Sequence, residues 1–313
     1  MAAPAAGGDV RAGAAIDGAA LGVNLAVTAG LIACVMAVTF LLALRLRKHS
    51  VIDTVWGLGF ALVALCTFGV AEGLMPTGSG SRAPITDPAG PGDLTTRILI
   101  TALTVIWGGR LAVHIGRRSR GHGEDPRYVQ LLAGGKGSPA ARALRLIYLP
   151  QAVVMWFVSL PVQVGQYLPA TSAGWTGVRL GLGAALWLTG FCFETVGDHQ
   201  LAAFRARPVA PGEPKAVLDY GLWRYTRHPN YFGDACVWWG LYLPACGGWP
   251  GAATILSPLL MTYLLAGKTG KPLMEAHMAE SRPGYADYVR RTSSFIPRRP
   301  APKRPESTPA AKA

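Results

Sequence analysis

Gly221-Leu222-Trp223-Arg224-Tyr225-Thr226-Arg227-His228-Pro229-Asn230-Tyr231-Phe232-Gly233-Asp234 sets two arginines, a histidine, an asparagine, an aspartate and two tyrosines against the start of an apolar run. Pro229 suits the first turn of a helix, where its missing N–H would be unpaired in any case. It also pushes His228 into extended backbone. A helix amino terminus flanked by Arg224 and Arg227 suits a phosphate, through amide donors, the helix dipole and bidentate guanidinium contacts. One turn in, Asn230 and Asp234 share a face and can hydrogen-bond a ribose or an amide. Basic residues at a membrane interface, with Asp234 complementing the dipole, explain the charges but not the His-Pro-Asn-Tyr cluster.

Outward from this stretch, the composition is that of a membrane protein. Half of the residues are apolar and only 15% are charged, against about 25% in a soluble domain. Crossing a ~30 Å hydrocarbon core takes ~20 apolar residues. Such runs fall at 21–44, 51–72, 94–116, 144–166, 177–197, 231–247 and 249–267, which predicts an all-α polytopic protein with about seven transmembrane helices. The fourth run carries Pro150 and Pro161, and the last two are short enough to form one helical hairpin about Gly247-Gly248-Trp249-Pro250-Gly251.

Lysine and arginine set the expected orientation, because cytoplasmic loops are enriched in them. Of the 30 basic residues, 25 fall in 45–50, 117–145, 198–230 and 268–313. That bias predicts an inner-membrane protein of the cell with its amino terminus outside and its carboxy terminus inside. The net charge of +13 is then accounted for by topology and by attraction to anionic lipid, so no nucleic-acid partner is expected. The first apolar run leads directly into Arg45-Leu46-Arg47-Lys48, a stop-transfer pattern and not a cleavage site. The loop 73–93, rich in Gly, Pro and Ser, reads as a flexible connector, and the basic tail 298–313 reads as disordered. The five cysteines form no C-x-x-C pair, so neither a disulfide framework nor a metal site is expected. No internal repeat is visible.

An ionisable residue inside a span is costly and marks a functional position. The fifth run continues into Glu194-Thr195-Val196-Gly197-Asp198-His199, and at 100° per residue Glu194, Asp198, Leu201 and Arg205 lie on one stripe. This stripe is either a solvated helix end with internal pairing or the polar wall of a cavity. Arg110-Leu111-Ala112-Val113-His114, followed by Arg117, Arg118 and Glu124-Asp125-Pro126-Arg127-Tyr128, is the next dense cluster. Arg110 needs a partner there, with Glu194 and Asp53 as candidates. The alternative is an inner loop in which Glu124, Asp125 and Arg127 neutralise one another. The tail from Lys271 through Glu275 to Tyr288 reads as an amphipathic helix broken at Pro283-Gly284, either closing a cavity or simply anchoring at the interface.

Arg227-His228-Pro229-Asn230-Tyr231-Phe232-Gly233-Asp234, followed by Glu275, Tyr285, Tyr288 and Phe295-Ile296-Pro297, resembles the carboxy-terminal domain of the steroid 5-alpha reductase superfamily, above all its bacterial members of unassigned substrate. The likeness covers Asp53 to Pro297 and is strongest after Leu186. It implies a short outer segment 1–20, a single membrane-embedded reductase-like domain 21–297 whose part from about 186 binds the cofactor, and the tail 298–313. It further implies NADPH in a cavity open to the cytoplasm. Carried over by position, Asp198, Arg205, Asn230 and Asp234 are cofactor contacts. Lys215 stands near the place of a basic residue that meets the adenosine phosphate, Lys268 and Lys271 fall near further basic contacts, and Arg224, Arg227, His228, Tyr231, Glu275 and Tyr288 complete the set.

In the steroid-reducing members a glutamate and a tyrosine polarise the substrate ketone. Here Trp107 stands near the tyrosine's place and Asp53 near the glutamate's, so Asp53 or His114 is the expected proton source. The resulting expectation is an NADPH-dependent reductase of a carbon–carbon double bond in a lipid, isoprenoid or steroid-like substrate. Isoprenylcysteine carboxyl methyltransferases carry a similar arginine-histidine-proline-x-tyrosine entrance, which keeps an S-adenosylmethionine-dependent lipid methyltransferase as the alternative. A non-catalytic lipid-binding membrane protein is the third.

Overall fold

The computed structural model describes residues 16–73, 92–134, 137–169, 172–208, 216–268, 275, 278–279 and 281–302. The connector 73–93 lies outside them save for its first and last two residues. Among the described residues every regular element is helical. Five helices are long and apolar enough to cross a membrane. They are α1 (Gly18–Leu46), α2 (Val51–Ala71), α3 (Leu94–Ser119), the fifth helix of the chain (Pro139–Val158) and the long Ala173–Arg205. We number the short Pro126–Leu132 as α4, Pro139–Val158 as α5, Leu160–Val164 as α6 and Ala173–Arg205 as α7.

The sixth and seventh apolar runs form shorter helices. Helix α8, Pro229–Ala245, has 17 residues, about 25 Å at 1.5 Å per residue, less than the ~30 Å core. The last run is one apolar helical stretch, Gly251–Gly267, with Leu256–Tyr263 (α9) at its centre. The turn between them falls at the expected glycines and carries a cis Trp249–Pro250 bond. A final short helix, α10, spans Tyr285–Arg291.

Proline explains where the fourth run departs from a plain helix. It begins at Pro139, five residues earlier than its apolar stretch, and passes through a π-helical turn at Leu144–Tyr148 just before Pro150. Pro150 has no N–H to give, so the ladder widens there and recovers beyond it. At Ser159 the helix ends, and the short helix Leu160–Val164 follows with Pro161 in its first turn.

The chain divides into two compact units: 1–181 with 241–255, and 182–240 with 256–313. In the first unit α2 and α3 meet backbone to backbone. A Cβ on Gly57 would collide with the Gly108 carbonyl, and a Cβ on Gly108 with that of Gly57. Phe60 and Trp107 pack beside this crossing, ring centroids 5.8 Å apart. Trp107 is fully buried there. The stretch 161–168, which follows the break at Ser159, is buried throughout.

In the second unit the same device joins α7 to α8. A Cβ on Gly233 would lie 2.5 Å from the Gly190 carbonyl oxygen and 2.6 Å from the Glu194 nitrogen, and one on Gly240 would lie 2.6 Å from the Trp187 nitrogen. Gly183, Gly190 and Gly197 recur every seven residues on α7, as do Gly233 and Gly240 on α8. Small residues at that interval let two helices approach closely in an apolar medium, where backbone contact and dispersion drive association. The seam places the polar end of α7 beside the start of α8.

Candidate functional site

The amino terminus of α8 begins at Pro229, as its ring geometry requires. Gly197 faces it, since a Cβ on Gly197 would come 3.1 Å from Pro229 Cγ. This brings Asp198 and Asn230 together, and Asn230 Nδ2 donates to Asp198 Oδ1 at 3.2 Å. Asn230 Oδ1 in turn accepts from the Tyr231 amide at 3.0 Å, so the carboxamide is oriented from both ends. Asp198 and Glu194 are buried, while Arg205 further along the same stripe, and Arg224 ahead of α8, are exposed. Asp234 is half-buried one turn past Asn230.

Arg227 and His228 are turned inward. Thr226 and Arg227 run beside 293–298. The Arg227 amide donates to the Ser293 carbonyl at 2.9 Å, the Thr226 hydroxyl to the Phe295 carbonyl at 2.8 Å, and the Arg298 amide to the Tyr225 carbonyl at 2.9 Å. The tail expected to be disordered from 298 is therefore bonded at its first residue, and again at Ala301, whose amide donates to Arg291. Residues 303–313 lie outside the described part.

The Arg227 guanidinium gives Nε to Glu275 at 2.9 Å and Nη1 to the Val289 and Thr292 carbonyls at 3.0 and 2.8 Å. It thereby caps the carboxy terminus of α10, where orphan carbonyls favour a cation. His228 Nε2 meets the same Glu275 oxygen at 3.0 Å and its ring stacks on Tyr231, centroids 5.4 Å apart. Burial opposes ionisation of Glu275. The bonds from His228 and Arg227 outweigh it and pull the carboxyl down to about 2. Burial, with Glu275 nearby, pushes the Tyr285 phenol up to about 12.

Tyr288, buried and also raised by burial, donates to the Trp223 carbonyl at 2.6 Å, and Trp223 Nε1 donates to Gly197 at 3.0 Å. Glu275, Arg227 and His228 thus form one network at the start of α8, and Tyr288 holds Trp223 beside it. Lys215 and Lys271 lie outside the described residues.

The first unit holds the residues expected for proton supply. Asp53, in the first turn of α2, accepts a 2.5 Å hydrogen bond from the Tyr128 hydroxyl and a 3.1 Å contact from Arg127 Nη2. Asp125 pairs with Arg127 at 2.9 Å, as loop neutralisation would have it. Glu124 does something else: its carboxylate takes the amides of His49 and Ser50 at the start of α2. Burial opposes its ionisation, but those amide bonds prevail and hold it below the usual range. Lys48 closes the other side of this joint, donating to the Ser119 and His122 carbonyls at 2.9 and 2.8 Å.

Tyr128 is the functional candidate that residue-by-residue reading passed over. It sits on the short helix α4, started by Asp125 as N-cap and Pro126 in the first turn. Burial, the Asp53 charge and the bond to Asp53 raise its phenol well above the ordinary value, so the proton stays on Tyr128. Beside it Trp56 Nε1 donates to Gln151 Oε1 at 2.6 Å. His114 is half-buried on α3. Only the sequence Asp125-Pro126-Arg127-Tyr128 hinted at this, because a cap followed by proline places Tyr128 one turn into a helix.

A family profile described as a protein of unknown function (DUF1295) matches residues 39–292. No curated protein and no solved structure matches the chain.

Proposed function

We propose that this chain, which belongs to the DUF1295 family, is a membrane-bound NADPH-dependent reductase of a carbon–carbon double bond in a lipidic substrate. The resemblance to the steroid 5-alpha reductase superfamily motivates the reading. The observation that carries it is the Asp198–Asn230 pair, held across a glycine seam with the exposed Arg205 on the same helix stripe. These residues fit a nucleotide chemically: a carboxylate and a carboxamide for ribose or nicotinamide, and a guanidinium for phosphate. When bound, NADPH supplies the hydride.

The chain's own residues do the rest. Asp198 and Asn230 orient one another, Arg205 and Arg224 neutralise phosphate, and the Arg227–Glu275–His228 network keeps the entrance rigid. The expected proton source, Asp53 or His114, lies in the first unit, where the Tyr128 hydroxyl donates to Asp53 at 2.5 Å. The orientation expected from the basic residues puts the start of α8 on the cytoplasmic side.

Methyl transfer from S-adenosylmethionine remains the second reading because of one observation. Arg227 is spent on Glu275 and two carbonyls, which leaves one cation fewer for the phosphates of NADPH. Thermal stabilisation of the detergent-solubilised protein by NADPH, NADH and S-adenosylmethionine separates the two. A shift with NADPH that Arg205→Ala removes supports the reductase. A shift with S-adenosylmethionine alone overturns it in favour of methyl transfer.

A further inference from the structure

Away from Asp53, the first unit buries a second set of polar side chains. Asn24, Thr28, Thr67, Gln163 and Gln166 are each fully buried, and Tyr167 is 4% exposed. Part of the set is satisfied within itself. The Thr28 hydroxyl meets Gln163 Oε1 at 2.6 Å, Gln163 Nε2 donates to Ser159 at 2.8 Å, and Gln166 Nε2 to Thr101 at 3.2 Å. Four atoms are not. Among the described residues, no hydrogen-bond partner meets Asn24 Oδ1, Thr67 Oγ1, Gln166 Oε1 or the Tyr167 hydroxyl.

The packing draws these four together. Leu21, Ala71, Val164 and Tyr167 form one cluster. Successive α1 and α2 pack on each other, so one turn further into both helices Asn24 comes level with Thr67. Asn24 Nδ2 reaches Gln163, one turn before Gln166, and Gln166 Nε2 reaches the Ala64 carbonyl, one turn before Thr67. A helix interior within a bilayer offers no bulk solvent to such groups, so a native fold leaves them bare only at a cost.

The kind of ligand follows from which groups are open. The two carboxamide oxygens only accept, and the two hydroxyls can donate. A phosphodiester or carboxylate has no proton to give the first pair, and an ammonium has no lone pair to accept the hydroxyl protons of the second. The ion pair at this end, Arg97 with Glu72 at 2.7 Å, already neutralises itself. We propose that Asn24, Thr67, Gln166 and Tyr167 form an internal binding site for a small neutral hydroxyl group, either ordered water or the alcohol of a lipid headgroup. It lies roughly 21 Å along α2 from Asp53, at 1.5 Å per residue, and so stands independently of the proposed reduction.

The test is radiolytic hydroxyl-radical labelling of the full chain in lipid nanodiscs, combined with native mass spectrometry and melting of Thr67→Val. Tyr288 is the internal control, since it is as buried as Tyr167 but its hydroxyl is bonded to Trp223. Labelling of Tyr167 several-fold faster than Tyr288, with a melting temperature lowered by a few degrees in Thr67→Val, supports bound water. Slow labelling with one retained lipid that Thr67→Val or Asn24→Leu releases supports the lipid alcohol. Equally slow labelling of both tyrosines with no retained lipid overturns the proposal. So does a raised melting temperature in Thr67→Val, because removing an unpaired buried hydroxyl stabilises a dry interior.

Discussion

Arg127 and Arg227 each hold carboxylates, and they do so in opposite ways. The Arg127 side chain is 49% exposed and spans Asp53 and Asp125, while that of Arg227 is 9% exposed and divides its donors between Glu275 and the carbonyls of Val289 and Thr292. Solvent screens the first and spares its partners much desolvation. The second is buried with its Nε and Nη1 donors bonded to Glu275 and two carbonyls, and taking away one side leaves the other buried and unpaired. An arginine spent on the fold in this way has fewer donors left for a ligand.

The sharpest way to break the comparison is Arg227→Ala. It strands Glu275 and two carbonyls, and about 3–5 kcal/mol of stability is expected to go, read as loss of the folded fraction in a melt. Arg227→Lys should rescue little, because one ammonium cannot reproduce the fork. Arg127→Ala, by contrast, should cost no more than about 1 kcal/mol. Equal losses at the two sites would erase the distinction.

Tyr128→Phe is expected next in size: it takes the 2.5 Å hydrogen bond away from Asp53 and should cost about 1–3 kcal/mol. An unchanged melt would show that Asp53 does not depend on the phenol. A smaller effect belongs to pH. The Glu275 carboxyl is depressed from 4.5 to about 2 in the fold, so its contribution is complete above about pH 5. It is lost as pH falls from there through 2, by at most about 3 kcal/mol. Glu275→Gln should flatten that part of an acid-unfolding curve. Arg224→Ala, at an exposed position, should move stability within about 0.5 kcal/mol while weakening NADPH binding.

Much of this was legible in the chain. The first three apolar runs are found as helices within three residues, and the fourth and fifth within eight at their ends, because hydrophobic length and the cost of unpaired backbone leave little choice in a bilayer. The pairing of Asp198 with Asn230 was legible only as two separate polar stripes. What joins them is the glycine recurrence on α7 and α8, a seven-residue signal that is easy to pass over because glycine carries no chemistry of its own. The inward turn of Arg227 was not legible. A basic residue in a phosphate-suited motif and a basic residue capping a distant helix have the same sequence.

Hydrophobic length, proline placement and capping residues act through neighbours in the chain, so the sequence alone determined a helical membrane protein and the start of α8 at Pro229. Which polar groups meet depends on contacts between residues tens to a hundred positions apart, with no local signature. Only the tertiary structure could set Tyr128 on Asp53, turn Arg227 onto Glu275, and bury Asn24, Thr67 and Gln166 in one place.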